Sequence, residues 1–142
     1  MILIKTGNRG ISALEYVIGL VILTLLLGLG FYVYMDYIRR AMVAEGITLC
    51  KAVETQQNTY HYDHGYYRNI SPWVYKDDAL DLDFRQNRYF YTFRVYTSYD
   101  WQTYKVKTFG AKGATGIMVV YDTDPDNNGK IDSAPKVTIS GI

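Results

Sequence analysis

Three groups of residues in this 142-residue chain have types and spacing suited to chemistry. The first is a single acid, Glu15, at the head of a long uncharged apolar run, with Gly10 and Ile11 just before it. A carboxylate at the edge of a membrane-length segment is costly, so it calls for a partner and a task. The second is the run Asp122-Thr-Asp124-Pro-Asp126-Asn-Asn128-Gly129-Lys-Ile-Asp132. Oxygen donors alternating around a glycine turn suit a Ca²⁺ loop, with Asp122, Asp124, Asp126, Asn128 and Asp132 as the ligand set. The closing bidentate acid of an EF-hand is missing, because Pro135 stands in its place. The same residues also make an Asx- and Gly-rich turn between two strands, so a calcium loop and a plain turn are both open here. The third group is His61 and His64 beside Asp63, two imidazoles that suit either a metal or an ordinary solvated loop. No nucleophile elbow, HExxH or phosphate-binding glycine loop occurs, and the expectation is that the chain is not an enzyme.

These groups must be positioned by a small set of elements. From Tyr16 to Met35 there are twenty residues without a formal charge. At ~1.5 Å per residue they span ~30 Å as a helix, the thickness of a bilayer's hydrocarbon core. Residues 11–60 read as one long helix, with 11–35 as its membrane part. Gly19, Gly28 and Gly30 lie inside it, and each weakens a helix by roughly 1 kcal/mol relative to alanine unless close packing uses it. From Asp36 the helix turns amphipathic, with Ile38, Met42, Leu49, Val53 and Tyr60 in one stripe. His64-Gly65 supplies a stop. Residues 61–88 read as loop, with Gly65, Pro72 and a short helical turn near Asp77–Leu82.

Strands are expected over 89–140. Tyr89, Tyr91, Phe93 and Val95 alternate, Tyr99-Asp100 marks a turn, and Trp101 to Phe109 alternates again through Tyr104 and Val106. Gly110, Gly113 and Gly116 interrupt; Ile117 to Tyr121 makes a third strand, and Val137 with Ile139 a fourth. Short strands with tight connections predict an antiparallel meander, and a meander with one apolar face laid against an apolar helix stripe predicts an α+β fold. Residues 61–142 then form one small C-terminal domain of roughly 80 residues with a modest core.

The formal net charge is +1, and losing residues 1–10, with Lys5 and Arg9, leaves 13 basic against 14 acidic side chains. Near-neutrality argues against nucleic acid as a required partner. Lys5 and Arg9 place the N-terminus on the cytoplasmic side. Cys50 is the sole cysteine, which rules out an intrachain disulfide and reads as a small buried residue on the helix. Fifteen tyrosines are ordinary at a membrane interface and on sheet faces.

Gly10 followed by Ile11-Ser12-Ala13-Leu14-Glu15 and a long apolar helix resembles the class III signal of type IV pilins and pseudopilins. Glu15-Tyr16 also resembles the Flp-type pilins, and Ala44 to Tyr67 is similar to the helix end of longer type IV pilins. Ile11 stands where the family usually has an aromatic residue, and Tyr32 where members often carry proline.

The resemblance implies a type IV pilin-like fold, with a prepilin leader at 1–10 removed by prepilin peptidase between Gly10 and Ile11, and Ile11 then N-methylated. It implies that Glu15 pairs with the N-terminal amine of a neighbouring subunit. The partners it implies are further copies of the chain in a helical filament, the prepilin peptidase and the pilus assembly machinery. The places it implies are the bacterial inner membrane for the precursor and an extracellular filament afterwards. A pseudopilin of a type II secretion system and a non-assembling, membrane-anchored binding domain are the alternatives. No cofactor is expected beyond the calcium option.

Overall fold

The computed structural model describes residues 13–141. It contains one α-helix, a single 3-10 turn at Lys112–Ala114 and two sheets in an α+β arrangement. Helix α1 (Ala13–His64) runs without a break for 52 residues, through Gly19, Gly28 and Gly30. It ends at the His64-Gly65 stop, four residues beyond the expected end at 60, so His61 and His64 are helical and not in a loop. Gly65 adopts φ +79°, a left-handed cap that glycine takes without strain, and its N–H donates to the His61 carbonyl at 2.7 Å.

By internal contacts the chain divides into a unit ending at Ile38 and a unit covering Arg39–Ile142. In the first, the described residues from Ala13 to Tyr37 are all exposed along the helix.

In the second unit the core lies between the C-terminal part of α1 and a five-stranded antiparallel sheet, ordered β1-β4-β5-β6-β7. The strands are β1 (Ile70–Val74), β4 (Thr92–Thr97), β5 (Tyr104–Phe109), β6 (Met118–Asp122) and β7 (Lys136–Ser140). A small hairpin of β2 (Lys76–Asp77) and β3 (Leu82–Asp83) stands apart from that sheet. Inward residues alternate as a half-buried sheet requires: Phe93 and Val95 on β4, Tyr104, Val106 and Thr108 on β5, Val119 and Tyr121 on β6. The helix supplies Val43, Gly46, Leu49, Cys50, Val53 and Gln57.

Three local readings are corrected. Within the expected 61–88 loop, residues 70–74 form edge strand β1 and pair with β4. Near Asp77–Leu82 the chain makes a β2–β3 hairpin and not a turn of helix, with Asp81 in left-handed conformation at φ 50°. Trp101 belongs to the β4–β5 turn, not to a strand, and takes φ 62°.

The helix stripe is also rotated from the expected one. Ile38 and Met42 are only partly covered, whereas Gly46 and Gln57 are fully in the core. Gly46 is there because of distance. A Cβ at this position would lie 3.0 Å from Val119 Cγ2 and 3.1 Å from Phe90 Cδ1, so any larger residue needs those two side chains to give by a few tenths of an ångström.

Candidate functional site

The membrane-length part of α1 places one of the predicted processing and assembly residues. Gly10 and Ile11 lie outside the described residues. Glu15 lies in the first turn of the helix, where the positive end of the helix dipole favours an acid. Beyond it the surface is apolar all round: Val17, Leu20, Leu25, Leu27, Leu29 and Phe31 are each more than half exposed. The hydroxyl of Thr24 donates to the Leu20 carbonyl at 2.8 Å, so that polar group is satisfied inside the helix. With a mean hydropathy of 2.4 over its most apolar window, the helix is long and apolar enough to cross a membrane.

The acidic run between β6 and β7 folds largely on its own amides. Both oxygens of Asp124 accept backbone N–H groups, from Asn128 and Gly129, each at 2.9 Å. Asp126 Oδ2 accepts from Asn128 Nδ2 at 2.8 Å, and Asn128 Oδ1 accepts from Lys130 N at 2.8 Å. Asp122 Oδ2 pairs with Lys105 Nζ at 2.6 Å. Asn127 and Gly129 take left-handed conformations that this turn needs. The loop is anchored where Asp132 N donates to the Thr123 carbonyl at 2.8 Å. Thr123, fully buried, exchanges hydrogen bonds with the Tyr104 backbone. Burial, then the charges of Asp126, Asp124 and Asp122, push the Asp132 carboxyl above the usual carboxylate range. The five predicted calcium ligands therefore share one loop, with most of their oxygens engaged by its own donors. Among the described residues no group of three or more His, Cys, Asp or Glu side chains is arranged to hold a metal.

The two histidines belong to the last turn of α1 and join an aromatic cluster. His64 stacks on Tyr60 at 4.0 Å between centroids, and His61 on Tyr67 at 4.3 Å. His64 Nδ1 lies 3.0 Å from the Tyr60 carbonyl. Tyr67 continues to Tyr104 on β5 at 4.7 Å. Burial, with the Glu54 carboxylate of the helix as a lesser cause, pushes the phenols of Tyr104 and Tyr121 far up.

Two helix side chains that carry no motif hold the long connection from α1 to β4. Glu45 Oε1 accepts the backbone N–H groups of Tyr89 and Phe90 at 2.7 and 2.8 Å. Gln57 Nε2 donates to the Arg68 carbonyl at 2.8 Å, and Gln57 Oε1 accepts from Arg68 N at 2.9 Å. They are twelve residues apart, or ~18 Å of helix. Sequence reading missed both. The available signal was a glutamine falling in phase with Leu49 and Val53 on the buried stripe.

A long N-terminal apolar helix whose C-terminal part packs on an antiparallel sheet is a pilin-like architecture. Comparison with protein-family models, with curated proteins and with solved structures finds no match to this chain.

Proposed function

We propose that the chain is a structural, non-enzymatic subunit of a type IV pilus or pilus-like extracellular filament. The precursor sits in the bacterial inner membrane. Prepilin peptidase cuts between Gly10 and Ile11, Ile11 is methylated, and the pilus machinery packs the helices of many copies into a head-to-tail fibre. The observation that carries this reading is the exposed apolar surface from Ala13 to Met35, with a single acid, Glu15, at its head. Lipid covers that surface in the precursor; neighbouring helices cover it in a fibre. Glu15 would then be surrounded by apolar helices, where an unpaired carboxylate costs several kcal/mol or is protonated. The amine created at Ile11 by cleavage supplies the opposite charge, which couples processing to assembly.

Glu15→Gln and Glu15→Leu test this. Both should insert and be processed, yet yield few or no fibres by electron microscopy at normal levels of membrane-bound subunit. Abundant fibres from Glu15→Leu, or an intact Met1 by mass spectrometry in the native host, would overturn it. The acidic loop favours one alternative, a type II secretion pseudopilin forming a short periplasmic rod, if Asp122, Asp124, Asp126, Asn128 and Asp132 take up calcium.

A further inference from the structure

The turn between β4 and β5 and the residue after the helix cap together build an aromatic cleft that the filament reading does not use. Tyr66 and Trp101 meet with ring centroids 6.2 Å apart and planes crossing at 83°. With Asp100 they line an open cleft of about 450 Å³. Both rings remain substantially exposed, 41% for Tyr66 and 43% for Trp101.

The three groups are held in place. Tyr66 packs edge-on against Tyr60 at 5.7 Å, and the two hydroxyls lie 3.3 Å apart. Trp101 is fixed at φ 62°, a conformation that non-glycine residues avoid, by its N–H to the Ser98 carbonyl at 3.1 Å and by Tyr67 N donating to its own carbonyl at 3.0 Å. Asp100 Oδ1 accepts the Ser98 hydroxyl and Gln102 N, the latter at 3.2 Å. These bonds hold the carboxyl below the usual carboxylate range, so the cleft carries a fixed negative charge at neutral pH.

Rings elsewhere in this unit already carry cations of the chain itself. Arg68 lies over Tyr60, Arg88 over Tyr89, and both Arg94 and Lys107 over Tyr96. Among the described residues no such cation lies over Tyr66 or Trp101. Two rings at near right angles beside an ionised carboxylate suit a cation with an apolar shell. Such a group gains from the ring faces and from the charge while losing little hydration.

We propose that the Tyr66–Asp100–Trp101 cleft binds a quaternary ammonium group, as carried by free choline or by a choline-type headgroup. This rests on the cleft alone and not on whether the chain assembles.

The chain has two tryptophans, and Trp73, which packs on Phe109 with ring centroids 4.8 Å apart and planes tilted by 56°, does not line the cleft, so Trp73→Phe leaves Trp101 as the only indole. Fluorescence of that full-length variant, in micelles of a sugar-based detergent, should change saturably on titration with choline. The neutral isostere 3,3-dimethylbutanol should bind about tenfold more weakly or worse, because it lacks the charge. Asp100→Asn in the same background keeps an Oδ1 acceptor for the turn, and should weaken choline by about tenfold with an unchanged circular dichroism spectrum. Phosphocholine competing as well as choline assigns the natural source to a headgroup; failure to compete assigns it to the free cation. Equal affinity for choline and its neutral isostere, no saturable change with either, or full choline affinity in Asp100→Asn would each overturn the proposal.

Discussion

Gln57→Glu should make the stability of the globular unit depend on pH. The parent amide is fully buried and both donates to and accepts from the Arg68 backbone. A neutral carboxylic acid can keep both bonds, with O–H replacing N–H. An ionised carboxylate keeps only the accepting bond and turns an oxygen toward the Arg68 carbonyl, where water does not reach. Burial and that contact both raise the pKa of the introduced group. Its folded pKa then lies above the unfolded value of about 4.3, so stability is retained below that pH and lost as pH rises toward the folded pKa. The loss grows by up to ~1.4 kcal/mol per pH unit. Its ceiling at pH 7 is the cost of remaining protonated, about 3.7 kcal/mol, a large share of the roughly 5–15 kcal/mol that holds a domain together. Gln57→Leu abandons both bonds at every pH and should cost a flat ~2–4 kcal/mol. Denaturant unfolding of the full chain in micelles, parent against variants, between about pH 4 and pH 8, separates the two patterns. A Gln57→Glu penalty that stays constant across this range, or vanishes at neutral pH, would refute the buried clamp.

Gly46→Ala gains about 1 kcal/mol of helix propensity but forces a methyl against Val119 and Phe90, where overpacking costs about 1–3 kcal/mol. A net loss of about 1 kcal/mol is expected in the same unfolding assay, and a gain would show that the Phe90 ring yields. Burial pushes the Cys50 thiol up to about 12, and the thiolate is the reactive form. A maleimide should therefore label Cys50 far more slowly in the native chain than in urea; equal rates would mean that the helix face is open. The ionised form of Asp132 opposes folding, because burial and its acidic neighbours raise its folded pKa. Stability linked to it is present at acid pH and lost as pH rises through the carboxylate range. Asp132→Asn should thus raise the Tm at neutral pH, with the gain fading in acid. If the loop takes calcium, millimolar Ca²⁺ raises the parent's Tm by mass action and affects Asp132→Asn less; an unchanged parent Tm assigns the loop to its own amide bonds.

The long helix was legible because an unbroken apolar run, an amphipathic stretch and a His-Gly stop agree on one element. Strand β5 was legible through plain alternation, Tyr104-Val106, and β6 as a short continuous apolar run, Ile117 to Tyr121. Strand β1 was not, because Ser71 and Pro72 read as loop, and proline is tolerated on an edge strand where its missing N–H is not needed. The rotated helix stripe escaped detection for a related reason. Gly46 and Gln57 are selected by closeness of approach and by hydrogen bonding to Arg68, and hydrophobic periodicity registers neither. The acidic loop could be named from its residues. What chain pattern alone does not convey is the direction of each carboxylate, and here several of those oxygens are turned onto backbone amides of the loop. The Tyr66–Asp100–Trp101 cleft depends on a left-handed tryptophan and on a turn meeting the helix cap, so no local pattern announces it.

From β4 onward every strand pairs with the next one in the chain, and only β1 reaches its partner β4 across an intervening hairpin. Pairing of sequence neighbours keeps each closure short, and short closures favour rapid folding. The meander β4-β5-β6-β7 can therefore zip up as successive hairpins before the segment from Gly65 to Tyr91 is seated by Glu45 and Gln57. The apolar face bearing Phe93, Val95, Val106 and Val119 is closed by Val43, Leu49 and Val53 of α1, so the docking of that helix is the step that hides it from other copies.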